Sequence, residues 1–187
     1  MSYINDFHIH RAVQLMQQDG VIAYPTEAVF GLGCLPDSDQ AIQRILDIKN
    51  RPWHKGLILV ASEIQQVEPF IDPEALDLLA CFDQYSGQPV TWLLPRVDTM
   101  SPLICGRHPK IAIRLSQNPH IRALCDKAGS AIVSTSANRA GQPEMKSPEM
   151  IRNHMMTQLD MVVAGPLGGY DRPSKIIDAQ TQQVLRD

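Results

Sequence analysis

The chain has no Cys-x-x-Cys pair. Its four cysteines, Cys34, Cys81, Cys105 and Cys125, are scattered through 187 residues. That spacing argues against a zinc ribbon and against a disulfide framework, and suits reduced thiols in a cytoplasmic protein. No apolar run reaches the length that a membrane span needs. The start, Met1-Ser2-Tyr3-Ile4-Asn5-Asp6, has neither the basic nor the apolar stretch of a secretory signal. Aromatic residues make up 5% of the chain, too few for the stacking platforms that hold single-stranded RNA. The formal net charge is -3, which excludes a general basic coat for nucleic acid but leaves room for a local basic patch. The six histidines form no metal-ligand set. His8 and His10 lie two apart on an expected helix and leave it on different faces, and only His54 neighbours a candidate site. Neither G-x-x-x-x-G-K-[ST] nor G-x-G-x-x-G occurs, so a P-loop NTPase is excluded.

Apolar residues at 44% and charged residues at 20% are ordinary for a soluble globular protein, and the length suits one domain, residues 1–187. Ile9, Ala12, Val13 and Met16 recur at helical spacing over residues 6–19, with Gly20 placed to close the helix. Residues 21–24 form a buried-type strand. Asp37 or Ser38 can cap a helix running to about residue 50, and residues 56–61 form a further strand. Short helical stretches flank Pro73. Strands are expected over 89–95, 110–115, 131–135, 161–164, 176–178 and 183–185. Asn118-Pro119 and Ser147-Pro148 each read as a cap followed by proline in the first helical turn. Such alternation predicts an α/β fold: a twisted, mostly mixed sheet with flanking helices and a concave, positively charged cleft. The Gly/Pro-rich stretches 139–148 and 165–174 are expected loops, placed to wall or cover that cleft.

Three motifs describe the cleft. The strand ending at Pro25 runs into Thr26, Glu27, Ala28 and two glycines, Gly31 and Gly33. Ligands bind beyond the carboxyl ends of strands in such folds, where glycine allows close backbone approach. Glu27 suits a magnesium ligand or a general base, but an acceptor of backbone N–H groups or a partner for Lys49 is favoured. In the second motif, Lys49, Arg51 and Lys55 surround a helix end stopped by Pro52. Cations favour helix C-termini in any case, yet three around one turn repel unless an anion joins them. The third motif, Ser134-Thr135-Ser136-Ala137-Asn138, puts hydrogen-bonding side chains at a strand end, where they suit polar ligand atoms better than a helix cap. Arg114 interrupts an apolar strand. It is either an exposed edge residue or a clamp for a carboxylate.

Pro25–Gly33, Lys49-x-Arg51-Pro52, Pro89-Val90-Thr91, Ala112-Ile113-Arg114, Ser134–Asn138 and Pro173-Ser174-x-Ile176-x-Asp178 occur in the order of the YrdC/TsaC family. The chain resembles that family over roughly residues 8–186, in its short stand-alone form. The resemblance implies an L-threonylcarbamoyladenylate synthase, which joins L-threonine, bicarbonate and ATP, carried with Mg2+, and releases pyrophosphate. Its product would pass to proteins that transfer the threonylcarbamoyl group to tRNA, with at most weak tRNA binding by the chain itself and no membrane partner. By position, Lys49, Arg51 and Lys55 match the family's phosphate contacts, with Lys49 and Arg51 expected to carry catalysis. Lys110, Ser136, Asn138 and Glu144 match further nucleotide contacts. Thr26, Ala28, Val60, Arg114, Ser134 and Ser174 match the threonine pocket. Two positions depart from the family pattern: Ala28 stands where many members have Thr, and Gly87-Gln88-Pro89 replaces Pro-Gly-Pro. The rival readings are an RNA-binding or ribosome-associated module on the same concave face, and a different carbamoyl or nucleotidyl transferase.

Overall fold

A computed structural model describes residues 5–83, 88–139, 141–172 and 174–186. Gly87, part of the departure noted above, and Pro173 of the late motif lie outside the described residues.

The expected helices form where their caps are. Helix α1 (Asp6–Met16) starts on Asn5, whose side chain accepts from the His8 amide. Helix α2 (Asp39–Lys49) starts on Ser38 and ends on Asn50 in the left-handed region, φ 49°. The short α3 (Pro102–Cys105) was not expected from the sequence. Helix α4 (Pro119–Ala128) is capped by Asn118 and closed by Gly129, and α5 (Pro148–Met155) by Ser147 at its start. Gly20 does not close α1 as expected. Asp19 takes the left-handed conformation, φ 59°, while Gly20 is needed because a Cβ there would sit 2.5 Å from the Leu15 carbonyl oxygen.

Among the described residues nine strands form one mixed sheet. They are β1 (Ile22–Pro25), β2 (Phe30–Cys34), β3 (Ile58–Ala61), β4 (Val90–Pro95), β5 (Lys110–Leu115), β6 (Ile132–Ser136), β7 (Met161–Val162), β8 (Lys175–Asp178) and β9 (Val184–Arg186), in the order β7-β1-β2-β6-β3-β5-β4-β8-β9. The pairs β1–β7, β3–β5 and β4–β8 are parallel and the others antiparallel.

Strand β2 corrects the reading of the two glycines. Gly31 and Gly33 do not form a ligand loop. They sit inside a strand between β1 and β6. A Cβ on Gly33 would lie 2.8 Å from Tyr24 Cε1 and 2.7 Å from the Val133 carbonyl oxygen, and one on Gly31 would lie 2.9 Å from Thr26 Cγ2. The glycines therefore make room for the Tyr24 ring of β1, for Thr26 just after it and for the backbone of β6. The Tyr24 ring lies fully buried across them and its hydroxyl donates to Ser134 Oγ at 2.7 Å.

The two faces of the sheet are covered differently. One face packs against α2, α3 and α5 in the larger core, which holds Trp92, Leu94, Ile111, Ile113, Val133 and Ile177. On the other, α1 and α4 bury Ile9, Val13, Met16, Ile121 and Leu124 against Ile22, Tyr24, Val60 and Ile132. Side chains alternate along a strand, so the partners of the core residues on β4, β5 and β8 emerge beyond α1 and α4. Thr91, Leu93, Lys110, Ala112, Arg114, Ile176 and Asp178 line an open cavity there.

Gly33→Ala should destabilise the fold by about 1–3 kcal/mol, the usual cost of forcing a methyl into a filled core. Urea denaturation measures it, and a wild-type midpoint would contradict the packing of Tyr24 on β2.

Candidate functional site

The cavity encloses about 710 Å³. Among the described residues, the cations Arg51, Lys55, Lys110, Arg114, Arg172 and Arg186 line it with the carboxylates Glu27, Glu144, Asp171 and Asp178.

Arg114 is not an exposed edge residue. It occupies the floor on β5, between β3 and β4, with its side chain 11% exposed. Its Nη2 lies 3.2 Å from Glu27 Oε2. Glu27 is buried in the turn between β1 and β2, and its Oε1 accepts from Ser116 Oγ at 2.5 Å. Among the described residues Glu27 thus partners Arg114 and Ser116, and neither Lys49 nor backbone N–H groups, the two partners weighed from the sequence. Ser174, at the start of β8, shares a 2.8 Å hydroxyl–hydroxyl hydrogen bond with Thr91 on β4. Arg186 of β9 donates to the Ser174 carbonyl from Nε at 3.1 Å and Nη2 at 2.6 Å, closing this wall.

Of the residues matched to the threonine pocket, Thr26, Ala28, Ser134 and Ser174 lie with Arg114 around the cavity, and Val60 does not. It is fully buried under α1 and α4 in the smaller core. Thr26 donates to the Val29 carbonyl at 2.7 Å, shaping the β1–β2 turn.

Among the expected nucleotide contacts, Arg51, Lys55, Lys110, Ser136 and Glu144 line the cavity. Arg51 donates from Nε and Nη2 to the Gly56 carbonyl at 3.0 and 2.8 Å, bracing the cationic turn. Lys55 is exposed at the mouth. Lys110 pairs with both oxygens of Asp178, at 2.8 and 2.6 Å. Burial acts to raise the Asp178 carboxyl, but Lys110 and the amides of Thr181 and Gln180 outweigh it and hold the group below the usual carboxylate range.

Lys49 and Asn138 are not among the cavity-lining residues. Lys49 is buried at the end of α2, and its ammonium donates to the backbone carbonyls of Ser136 and Asn138. Asn138 accepts from Ser136 Oγ at 2.6 Å and donates to the Gln142 carbonyl at 3.0 Å. The three cations expected to repel one another point apart. Lys49 turns to β6, Arg51 to Gly56 and Lys55 to solvent. Burial, followed by the charge of Arg51, lowers the Lys49 ammonium to about 8. The ring of His54 lies edge-on to Trp53 at 6.4 Å, and His54 is not among the lining residues.

Thr91, Asp171, Arg172 and Arg186 line the cavity without having been given a role from the sequence. Thr91 could have been found by alternation, since it shares a face with Leu93 opposite buried Trp92. Arg186 had no such signal. Only the register of β9 against β8, Arg186 opposite Ile176, brings it to Ser174. Among the described residues no group of three His, Cys, Asp or Glu side chains could hold a metal ion, and no helix is long and apolar enough to cross a membrane.

A family model covering Sua5, YciO and YrdC, described as "Telomere recombination", matches residues 14–187. The chain belongs to the Sua5/YciO/YrdC family. It is 41% identical over 182 residues to the threonylcarbamoyl-AMP synthase of Vibrio vulnificus, covering 96% of this chain and 97% of that protein. A Sua5 structure from P. abyssi, of a variant with a histidine and a tyrosine both changed to alanine, superposes with a TM-score of 0.84 at 25% identity, over 94% of this chain. This chain spans 54% of that longer protein. E. coli YciO superposes with a TM-score of 0.79 at 26% identity, covering 98% of this chain and 90% of that one.

Lys49 carries a pH signature. A lysine held low in the fold contributes stability that is fully present above its ordinary value of 10.5 and is lost as pH falls to about 8. Thermal melts of the wild type should therefore gain stability between those limits relative to Lys49→Met, which has no group to titrate. Parallel curves for the two proteins would contradict the burial of Lys49.

Proposed function

We propose that the chain is an L-threonylcarbamoyladenylate synthase, making threonylcarbamoyl-AMP and pyrophosphate from L-threonine, bicarbonate and ATP. The observation that carries this is the 41% identity to a threonylcarbamoyl-AMP synthase over nearly the whole of both chains. The cavity supports it with an amino-acid end and a phosphate end. At the first, Arg114 offers a guanidinium to the threonine carboxylate, with Ser134 and Ser174 around it. At the second, Arg51 and Lys55 on the turn after α2, with Lys110 on β5, offer cations to the triphosphate. Ser136 and Glu144 stand near that end as nucleotide contacts. Lys49 serves from beneath, holding the backbone of residues 136–138 in place. Magnesium arrives on the triphosphate as part of the substrate.

In this reading the threonine amine bonds to the bicarbonate carbon, water leaves, and a carbamate forms. A carbamate oxygen then bonds to the α-phosphorus as the bond to the pyrophosphate oxygen breaks. Negative charge gathers on phosphoryl oxygens, and fixed cations in a partly enclosed cavity stabilise it more than water would. The protein need supply no covalent nucleophile. Transfer of the product to tRNA falls to other proteins.

Incubation with ATP, magnesium, bicarbonate and a panel of amino acids, followed by mass analysis, should give an AMP adduct with L-threonine. No adduct from folded protein would refute the assignment. Tight tRNA binding that survives high salt, without any adduct, would favour an RNA-binding module instead.

Arg114→Lys keeps the charge but removes the planar fork that a carboxylate matches. It should raise the threonine KM tenfold or more, roughly the worth of one charged hydrogen bond, and leave the ATP KM nearly unchanged. The reverse pattern would move Arg114 to the nucleotide end.

A further inference from the structure

Arg114 and Glu27 pair in an unusual way for two buried, complementary groups. An arginine and a carboxylate commonly meet through two parallel hydrogen bonds. Here the contact runs from one nitrogen, Nη2, to one oxygen, Oε2, at 3.2 Å. The other carboxylate oxygen is taken by Ser116 Oγ at 2.5 Å. Ser116 is held in turn. Its amide donates to the Ala61 carbonyl at 2.9 Å, and its hydroxyl accepts from the Asn118 amide at 3.1 Å, at the start of α4. Glu27 is also fixed through its backbone, where its carbonyl accepts from the Tyr170 amide at 3.1 Å. Gly168 packs so closely that a Cβ there would lie 2.9 Å from Glu27 Cα. Arg114 Nε and Glu27 Oε2 are both left buried without a hydrogen-bond partner, so the contact is an ion pair and not a hydrogen bond.

We infer that Glu27, held by Ser116, is a positioning residue that fixes Arg114 by a single-point contact and makes this end of the cavity select a zwitterionic amino acid over a simple carboxylate. The inference rests on the threonine-dependent reaction proposed above. Its logic is steric and electrostatic. With Oε1 turned to Ser116 and only Oε2 near Nη2, Glu27 leaves the rest of the guanidinium fork unoccupied, and substrate can meet it there. The pair is also neutral together. A bare carboxylate ligand would bring one negative charge to Arg114 and meet Glu27 beside it. An α-amino acid brings an ammonium group with its carboxylate, and that group offsets the repulsion. Glu27 thus decides which ligands Arg114 accepts.

The test uses the full chain and the variants Glu27→Gln and Ser116→Ala, each checked for folding by circular dichroism. Threonine and ATP are titrated separately in the adduct assay, and 3-hydroxybutanoate, which is threonine without its amine, is titrated as a competitor of threonine. Glu27→Gln should raise the threonine KM about tenfold or more, as expected for loss of a charge-assisted contact, with the ATP KM within about twofold. It should also narrow the preference for threonine over 3-hydroxybutanoate, an effect that a general loosening of the fold would not produce. Ser116→Ala should shift the threonine KM in the same direction by a smaller factor. An unchanged threonine KM, an equal rise for threonine and ATP, or an unchanged preference against 3-hydroxybutanoate would overturn the inference. If Glu27→Gln does not fold, Ser116→Ala decides by the same readouts. Wild-type protein that forms no adduct would refute the proposed function itself, and is thereby distinguished from a failure of Glu27 alone.

Discussion

A charged guanidinium on the floor of a sheet is expensive to hide unless a counter-charge comes with it. Much of the architecture around the cavity serves the ion pair of Arg114 with Glu27. The pair joins the middle of β5 to the turn between β1 and β2, elements that are not neighbours in the sheet. Ser116 ties it to the start of α4, and the amides of Gly168 and Tyr170 tie the same turn to the loop carrying Asp171 and Arg172. One buried charge on a strand thus fixes a turn, a helix start and a loop together.

The cavity owes its existence to an uneven covering of the sheet. Helices α1 and α4 close one face only over the strands from β1 to β3. Beyond them the alternation of β4, β5 and β8 sends Trp92, Ile111, Ile113 and Ile177 into the larger core and their partners, Thr91, Lys110, Arg114 and Asp178 among them, into the open. The ends of the concave surface are then set by short contacts: the bracing of Gly56 by Arg51, the grip of Lys49 on residues 136–138, and the clamp of Arg186 on Ser174.

The alternation of helices and strands was legible because it rests on local signals. Asn118 and Ser147 each cap the helix they were expected to open, Ser38 is the one of the two candidates, Asp37 and Ser38, that caps α2, and β5 has the expected limits. Strand β2 was hidden because its two glycines suggest a loop, and only the Tyr24 ring reveals why a strand needs them. Arg114 was visible as a charge in an apolar run. The pairing of Glu27 with it was not, since the two stand far apart in the chain and no periodicity links them. Lys49, Arg51 and Lys55 looked like one cluster because sequence spacing shows proximity but not direction. Burial turns Lys49 to the end of β6. Val60 illustrates the same limit. Its strand was expected, but the cover given by α1 and α4 was not.

The contacts that make the cavity also set when it can exist. Tyr24 reaches Ser134 across 110 positions, Lys49 reaches Asn138 across 89, and Glu27 reaches Ser116 across 89. The wall is finished only when β8 and β9 add to the far edge of the sheet. Long-range pairings of this kind slow folding, because loop closure precedes any contact that rewards it. A ribosome releasing this chain from its N-terminus delivers Arg114 and Glu27 well before Ser174 and Arg186. The nascent chain therefore holds both members of the charge pair early and the finished wall of the cavity only once β8 and β9 have been made.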